Sequence, residues 1–361
     1  MAPGRINLIG EHVDYNEGFV MPAAVANAMT FAVSASGSDR CNLLAVDFDE
    51  GVTFSIHDLN PGGSWVNYMQ GVMDGFMRRG ARIKGVDCIF GGNIPAGAGL
   101  SSSAALCAGF AFALNETFDT GFSRLELAKI AQYSEHEFAG VKCGLMDQYA
   151  SLFGEKDAVL LFDCRRLIHE SIPFHFSTHS LLLIDTKVKH SLADSAYNDR
   201  RRSCEEGLTI LRKRYPQVTA LRDATRTMLY EHQDEMGEET FIKCLYVVEE
   251  IARTLQAAEC LKKKDIAGFG ELMYQSHWGL SQAYEVSCEE LDHLVMAAEE
   301  DKELVPGARM MGGGFGGCTI NLVRSGREGI FKERVRKKYF AAFKKEPDFY
   351  TVTLSEGVHV I

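Results

Sequence analysis

The run Asn93-Ile94-Pro95-Ala96-Gly97-Ala98-Gly99-Leu100-Ser101-Ser102-Ser103-Ala104-Ala105 constrains this chain more than any other segment. Ahead of it, Val86 to Phe90 reads as a buried strand; after it, Ser101 to Leu114 has the small-residue composition of a closely packed helix. Strand, glycine turn and helix start follow in order, and three hydroxyls fall at the helix N-terminus. Unpaired backbone N–H groups and the positive end of the helix dipole bind oxyanions at such a place, while serine can reach phosphate or Mg²⁺. An ordinary cap before a tight helix crossing is the competing reading, and two glycines followed by three serines favour the anion site. The run lacks the Gly-Lys-Ser/Thr ending of the P-loop, so that inference fails.

Two further segments concentrate unusual residues. Met310-Met311-Gly312-Gly313-Gly314-Phe315-Gly316-Gly317-Cys318 contains a Gly-x-Gly-x-x-Gly spacing, but Cys318 to Val323 looks extended, whereas a dinucleotide fingerprint opens a helix. Five glycines in six positions imply a backbone surface that approaches another loop or a ligand, with a structural bulge as the alternative. Gly4-Arg5-Ile6-Asn7-Leu8-Ile9-Gly10-Glu11-His12-Val13-Asp14-Tyr15 gathers Arg, Glu, His and Asp at the exit of an apolar strand. Hydroxyl-rich ligands are selected by such fixed donors and acceptors, and a guanidinium suits phosphate. Taken singly, each charge is an ordinary loop residue; their density carries the functional reading.

Around these segments, Ile6 to Ile9, Phe19 to Met21, Thr30 to Ser34, Leu43 to Val46 and Val52 to Ile56 read as strands of an antiparallel sheet. Trp65, Tyr68, Val72 and Phe76 recur at helical spacing, closed by Gly80; core packing is their plain role, an adenine pocket the alternative for Trp65 and Tyr68. Ser123 with Glu126 and Ser287 with Glu290 are capping-box patterns. A strand from Leu181 to Asp185 leads into a helix over Ala193 to Arg214, and this is the expected domain junction, giving domains 1–178 and 179–361. Later, Cys318 to Val323 is a strand, Glu328 to Phe343 a basic amphipathic helix and Tyr350 to Leu354 a last strand.

With 361 residues, two packed domains are the default. A net charge of −11 argues against nucleic acid as a partner, so an anion must be held by local geometry. Met1-Ala2-Pro3-Gly4-Arg5 has no basic region, apolar run or cleavage site and no window approaches a membrane span, so secretion and membrane insertion are not expected, and the ten scattered cysteines form no Cys-x-x-Cys pair. A reducing cytoplasm fits. Cys143 and Cys318 read as small buried residues beside glycine turns, and Lys262-Lys263-Lys264 as a solvated helix end.

Together, in this order, the three glycine-bearing segments resemble the three signature motifs of the GHMP small-molecule kinases, and the first is similar to the galactokinase signature of that superfamily. The likeness extends to Glu135-His136-Glu137-Phe138-Ala139-Gly140, Cys143-Gly144-Leu145-Met146-Asp147-Gln148, Ala196-Tyr197-Asn198 with Arg200 to Arg202, and Gly307-Ala308-Arg309. It implies a two-domain α/β (α+β) fold, with an N-terminal domain like domain 2 of ribosomal protein S5, a ferredoxin-like C-terminal domain and the site between them. It also implies a monomer that uses ATP and Mg²⁺ to phosphorylate galactose at the C1 hydroxyl. Carried over by residue, Gly97, Ala98, Gly99, Leu100, Ser101, Ser102 and Ser103 wrap the ATP phosphates. Ser103 and Glu135 hold Mg²⁺, Asp147 faces the C1 hydroxyl with Arg5 beside it, and Glu11, His12, Asp14, Gly144 and Tyr197 bind the sugar. Without the resemblance, Asp147 reads as a helix cap and Glu135 as a solvated helix residue.

The chain departs from the family pattern in places. Members carry further residues ahead of the segment matched by Pro3-Gly4-Arg5, so an edge of the first sheet is expected to be missing. Val13 stands for a usual threonine, Glu17 for a commoner glycine and Cys107 for a frequent glutamate. The alternatives are a kinase for a related sugar such as N-acetylgalactosamine and a non-catalytic galactose and ATP sensor; the intact Ser101 to Ala105 run with Asp147 favours catalysis.

Overall fold

The computed structural model describes residues 1–95, 97–174, 178–188 and 193–361, with only the backbone described for 193–196. Ala96, within the serine-rich loop, and the side chain of Ala196 lie outside the described residues.

A five-stranded sheet is built from β1 (Ala2–Asn7), β3 (Pro22–Ala35), β4 (Arg40–Ala45), β5 (Glu50–Ser55) and β6 (Val86–Gly92), in the order β1-β3-β6-β4-β5. It is mixed rather than antiparallel, because β4 and β6 run parallel. After the β4–β5 hairpin, α1 (Val66–Arg78) carries the chain across to the other side of β4, and a crossover returns it in the same direction. The expected Phe19 strand shrinks to β2 (Phe19–Val20), which leaves this sheet for a three-stranded one in the order β2-β7-β8, with β7 (Ala158–Asp163) and β8 (Ile168–Pro173). β1 begins at Ala2 and forms the sheet edge, pairing from Ala2↔Met29 to Asn7↔Pro22.

Three more helices cover this half together with α1: α2 (Ser102–Phe118), α3 (Arg124–Glu137) and α4 (Met146–Phe153). The Ser123–Glu126 capping box forms as read. Helix α2 is apolar nearly all round, which is the pattern of a helix inside a core, and Ala104 to Ala111 are buried.

The second half opens with β9 (His179–Asp185) and α5 (Ala193–Arg214), followed by the short α6 (Arg226–Glu231) and α7 (Gln233–Met236). Then come α8 (Glu238–Lys262), α9 (Ile266–Trp278), α10 (Glu289–Glu299), β10 (Gly307–Met310), β11 (Cys318–Arg324), α11 (Glu328–Phe343) and β12 (Asp348–Thr351). These strands form an antiparallel sheet in the order β10-β11-β9-β12. The alternation along β9 buries both faces. Leu181 and Leu183 join a core shared with Ile6, Leu8 and Ile9 of the N-terminal half, while Leu182 and Ile184 pack with α10 and α11. The shared core therefore joins the two halves.

Two further readings need correction. The Ser287–Glu290 capping box does not form: the N-cap of α10 is Cys288, and the Ser287 hydroxyl donates to Asp292 Oδ1 at 2.5 Å instead. The last strand ends at Thr351, leaving Leu354 as a single bridge to Val25. Lys262, Lys263 and Lys264 are exposed at the end of α8, as a solvated helix end should be. Among the described residues no helix is long and apolar enough to cross a membrane.

Helix α9 meets β10 at backbone contact. A Cβ at Gly270 would lie 2.1 Å from the Pro306 carbonyl oxygen, with no flexible side chain to yield. Gly270→Ala should lower the unfolding free energy by about 1–3 kcal/mol in urea titration, and an unchanged midpoint would show that the crossing relaxes freely.

Candidate active site

The sequence places Arg5 and Asp147 142 positions apart; the fold makes them partners. Arg5 leaves β1 and Asp147 sits in the first turn of α4, where the helix dipole favours a carboxylate. Arg5 Nε donates to Asp147 Oδ1 at 2.6 Å and Nη2 to Oδ2 at 2.8 Å, a bidentate fork. The same guanidinium reaches the serine-rich loop, where Nη1 donates to the Gly99 carbonyl at 2.5 Å. Burial opposes the charge on Arg5, but the Asp147 carboxylate outweighs it and the pKa rises. Asp147 is therefore an ion-pair partner on a cavity wall, not a helix cap.

Ser101, at the N-cap of α2 in the left-handed region (φ 55°), turns its hydroxyl to Asp147 Oδ2 at 2.5 Å. Of the other loop residues, Ala98 and Leu100 bury their side chains beside Ile6, Leu8 and Met311, and Ser103 faces the cavity. The fold settles the choice left open for the second glycine run. A Cβ at Gly317 would lie 3.6 Å from the Gly97 oxygen, and one at Gly314 only 2.0 Å from that of Val286. The run is a backbone surface laid against its neighbours, and Gly312, Gly313 and Gly314 line the cavity.

Arg5, Glu11, His12, Asp14, Ser103, Glu135, Gly144, Asp147 and Tyr197 all line one cavity of about 210 Å³. Gly97, Gly99 and Ser102 stand in the adjoining turn and helix start. Glu135 is buried: Gln148 Nε2 donates to its Oε1 at 2.7 Å and Ser103 Oγ to its Oε2 at 3.4 Å. Burial first, then the nearby Asp147 charge, push its pKa up to about 7.

Asp14 packs so closely on Gly144 that a Cβ there would fall 1.9 Å from Asp14 Oδ2, which gives that glycine its reason. Burial and the Asp147 charge push Asp14 up to about 7 as well. His12 is neutral, lowered to about 4 chiefly by burial. Its Nε2 lies 3.1 Å from the Gly313 carbonyl, an acceptor, so the single ring proton sits there. Nδ1 then accepts from Tyr15 at 2.8 Å, and Tyr15 accepts from Tyr284 at 2.9 Å. Both ring nitrogens are thus occupied by protein partners.

Several contributors had no site role assigned from the sequence. Arg309 is fully buried, donates to the Asn7 carbonyl at 2.9 Å and lies 3.2 Å from Glu11 Oε1, which also accepts from Gly312 N. Its signal was the likeness of Gly307-Ala308-Arg309 to the family, which gave the residue no role. Cys143 was read as a small buried residue beside a glycine turn, but it is only partly buried and lines the cavity, as do Val141 and Met146. Trp65 takes the packing role, its ring edge-on to Phe90, and also donates to Glu50. Glu17 adopts φ 59°, the conformation for which the commoner glycine is suited, and Arg165 holds its carboxylate at 2.5 Å.

Comparison with known proteins decides the family. The pattern of the GHMP kinases N terminal domain matches residues 67–155, that of the GHMP kinases C terminal matches 257–341, and the galactokinase galactose-binding signature matches 1–35. The chain belongs to the galactokinases of the GHMP kinase family. It is 41% identical to the galactokinase of Thermotoga petrophila over all of this chain and 99% of that one. It is 37% identical to that of Clostridium perfringens over 99% and 93% of the two chains. The crystal structure of Lactococcus lactis galactokinase complexed with galactose superposes with a TM-score of 0.94 at 31% identity, covering 99% of this chain and 93% of that one. A mevalonate kinase shares the two-domain fold alone, with a TM-score of 0.63 at 17% identity over 98% of each chain.

The raised Asp14 carries a pH signature. The unfolded chain releases this proton near 3.8 and the folded chain near 7, so between those values the folded state holds a proton the unfolded state has lost. Asp14 therefore subtracts stability progressively as pH rises through that window. Asp14→Asn should lose less stability than the parent between pH 4 and 7 in ligand-free urea titrations; parallel curves would show that Asp14 ionises normally.

Proposed function

We propose that this galactokinase family member transfers the γ-phosphoryl group of ATP to the C1 hydroxyl of galactose, with Asp147 as the base. One observation carries the reading: the Arg5–Asp147 fork stands on the wall of the cavity that also contains Ser103, Glu135 and the Glu11–Asp14 segment. Phosphoryl transfer asks for positioning and for stabilisation of charge more than for covalent help. Asp147 accepts the hydroxyl proton as the O1–P bond forms and the bond to the ADP oxygen breaks. Arg5 keeps that carboxylate ionised and offsets charge on the transferred group. Ser101, whose hydroxyl bonds Asp147, orients it.

Glu11, Asp14, Gly144 and Tyr197 are read as the sugar pocket, with His12 as a fixed wall because its nitrogens are taken. The turn from Gly97 to Ser103 is read as the phosphate cradle. Among the described residues no group of three or more His, Cys, Asp or Glu could hold a metal ion. Mg²⁺ needs only one or two protein oxygens besides substrate phosphates, and the buried Glu135 carboxylate beside the Ser103 hydroxyl fits that requirement. Bound there, the ion would neutralise phosphate charge. Separate sheets before and after residue 178 support domains 1–178 and 179–361. Ten free thiols support a reducing cytoplasm.

Asp147→Asn should keep galactose and ATP binding in calorimetry while kcat falls by about 10² or more. Near-normal turnover would remove Asp147 as the base. A coupled ADP assay on galactose, N-acetylgalactosamine, glucose and galacturonate should show galactose preferred, and a flat response would sink the substrate reading.

A further inference from the structure

We propose that Glu250 is a positioning residue for the sugar segment, holding the turn at Gly10 from which Glu11 and Asp14 are presented; this rests on the galactokinase reading above. Glu250 is fully buried on α8 and is not among the residues lining the cavity. Its Oε1 accepts from Gly10 N at 3.0 Å and from Ser276 Oγ of α9 at 2.6 Å, while Arg253 pairs with Oε2. The carboxylate thus gathers a loop amide, a hydroxyl and a guanidinium, and its buried charge is compensated.

Helix geometry explains why this side chain can do so. Tyr246, Glu250 and Thr254 recur every four residues and share one face of α8. All three meet the sugar segment. Tyr246 Oη donates to the Glu11 carbonyl at 3.2 Å, Glu250 takes the Gly10 amide, and a Cβ at Gly10 would lie 3.0 Å from Thr254 Oγ1. Gly10 has φ 89° and would also press a Cβ to 2.7 Å from the Phe19 oxygen, so the turn is held from both sides. The serine-rich loop is anchored independently, through Arg5 N to the Leu100 carbonyl and Arg5 Nη1 to that of Gly99. Loosening the Gly10 turn should therefore weaken galactose and spare ATP.

Glutamine at 250 keeps the size and can accept from Gly10, but it turns an amide donor toward Arg253. The test uses the full chain, with galactose and ATP varied separately, galactose binding by calorimetry, and melting temperature. Glu250→Gln should raise the galactose KM and Kd about tenfold, with the ATP KM and kcat within about twofold. Tyr246→Phe and Ser276→Ala, which each remove one hydroxyl, should move the galactose constants the same way by less. Equal rises in both KM values, or a lower melting temperature with the galactose KM unchanged, would overturn the proposal. If Glu250→Gln does not fold, the two hydroxyl variants decide by the same criterion. A parent enzyme inactive on galactose would refute the activity reading instead.

Discussion

The bidentate pair between Arg5 and Asp147 organises everything around it. It joins β1 to α4, and through Gly99 and Leu100 it joins both to the serine-rich turn. Such a pair is no simple gain in stability, since desolvating both charges offsets most of their attraction. Its value is geometric: a fork with two parallel bonds leaves the carboxylate one orientation. Removing either partner would strand a charge in a poorly solvated place, so the two residues act as a unit.

The sugar segment is shaped by both halves of the molecule. Its strand belongs to the N-terminal sheet, but Arg309 and Gly312 of the C-terminal half hold the Glu11 side chain. The proton order from Tyr284 through Tyr15 to His12 ends on the Gly313 carbonyl, so one tautomer couples the first and last glycine runs. Burial, by keeping His12 neutral, is what permits that order. The core shared by Ile6, Leu8, Leu181 and Leu183 supplies the apolar attachment that these directional bonds need.

Local patterns were legible and distant partners were not. Helices over Ala193–Arg214 and Glu328–Phe343 have the bounds their periodicity gives, and the Ser123 box caps α3. The matching Ser287 pattern fails because Asp292 lies within reach of its hydroxyl and also of Ser281 and His277. A tertiary network outcompeted a local one. The parallel β4–β6 pairing likewise arises from a crossover that no window of sequence contains. Arg309 and Gln148 stand in segments that carry the likeness but received no role, because each acts on a residue outside its own segment and burial of a polar side chain has no period. The serine-rich anion turn and the charged Gly4 to Tyr15 segment were legible as residues, whereas Asp147 and Glu135 emerged only through the family resemblance, since each alone reads as an ordinary helix residue.

The chain's last residues complete the positioning of the central pair. Beyond β12 they cross back to the N-terminal half, where Ser355 N bonds the Ala24 carbonyl of β3 at 3.0 Å and Val358 N bonds that of Ser151 on α4 at 2.8 Å. Ser151 in turn donates its hydroxyl to the Pro3 carbonyl at 2.8 Å. Ser151 is one helical turn from Asp147, and Pro3 is two residues from Arg5 along β1, across an irregularity in its pairing with β3. A second tie therefore runs beside the ion pair and keeps α4 and β1 in register at two points. With two fixed points the helix is held against pivoting about the fork, and the carboxylate at its start keeps one position and one orientation.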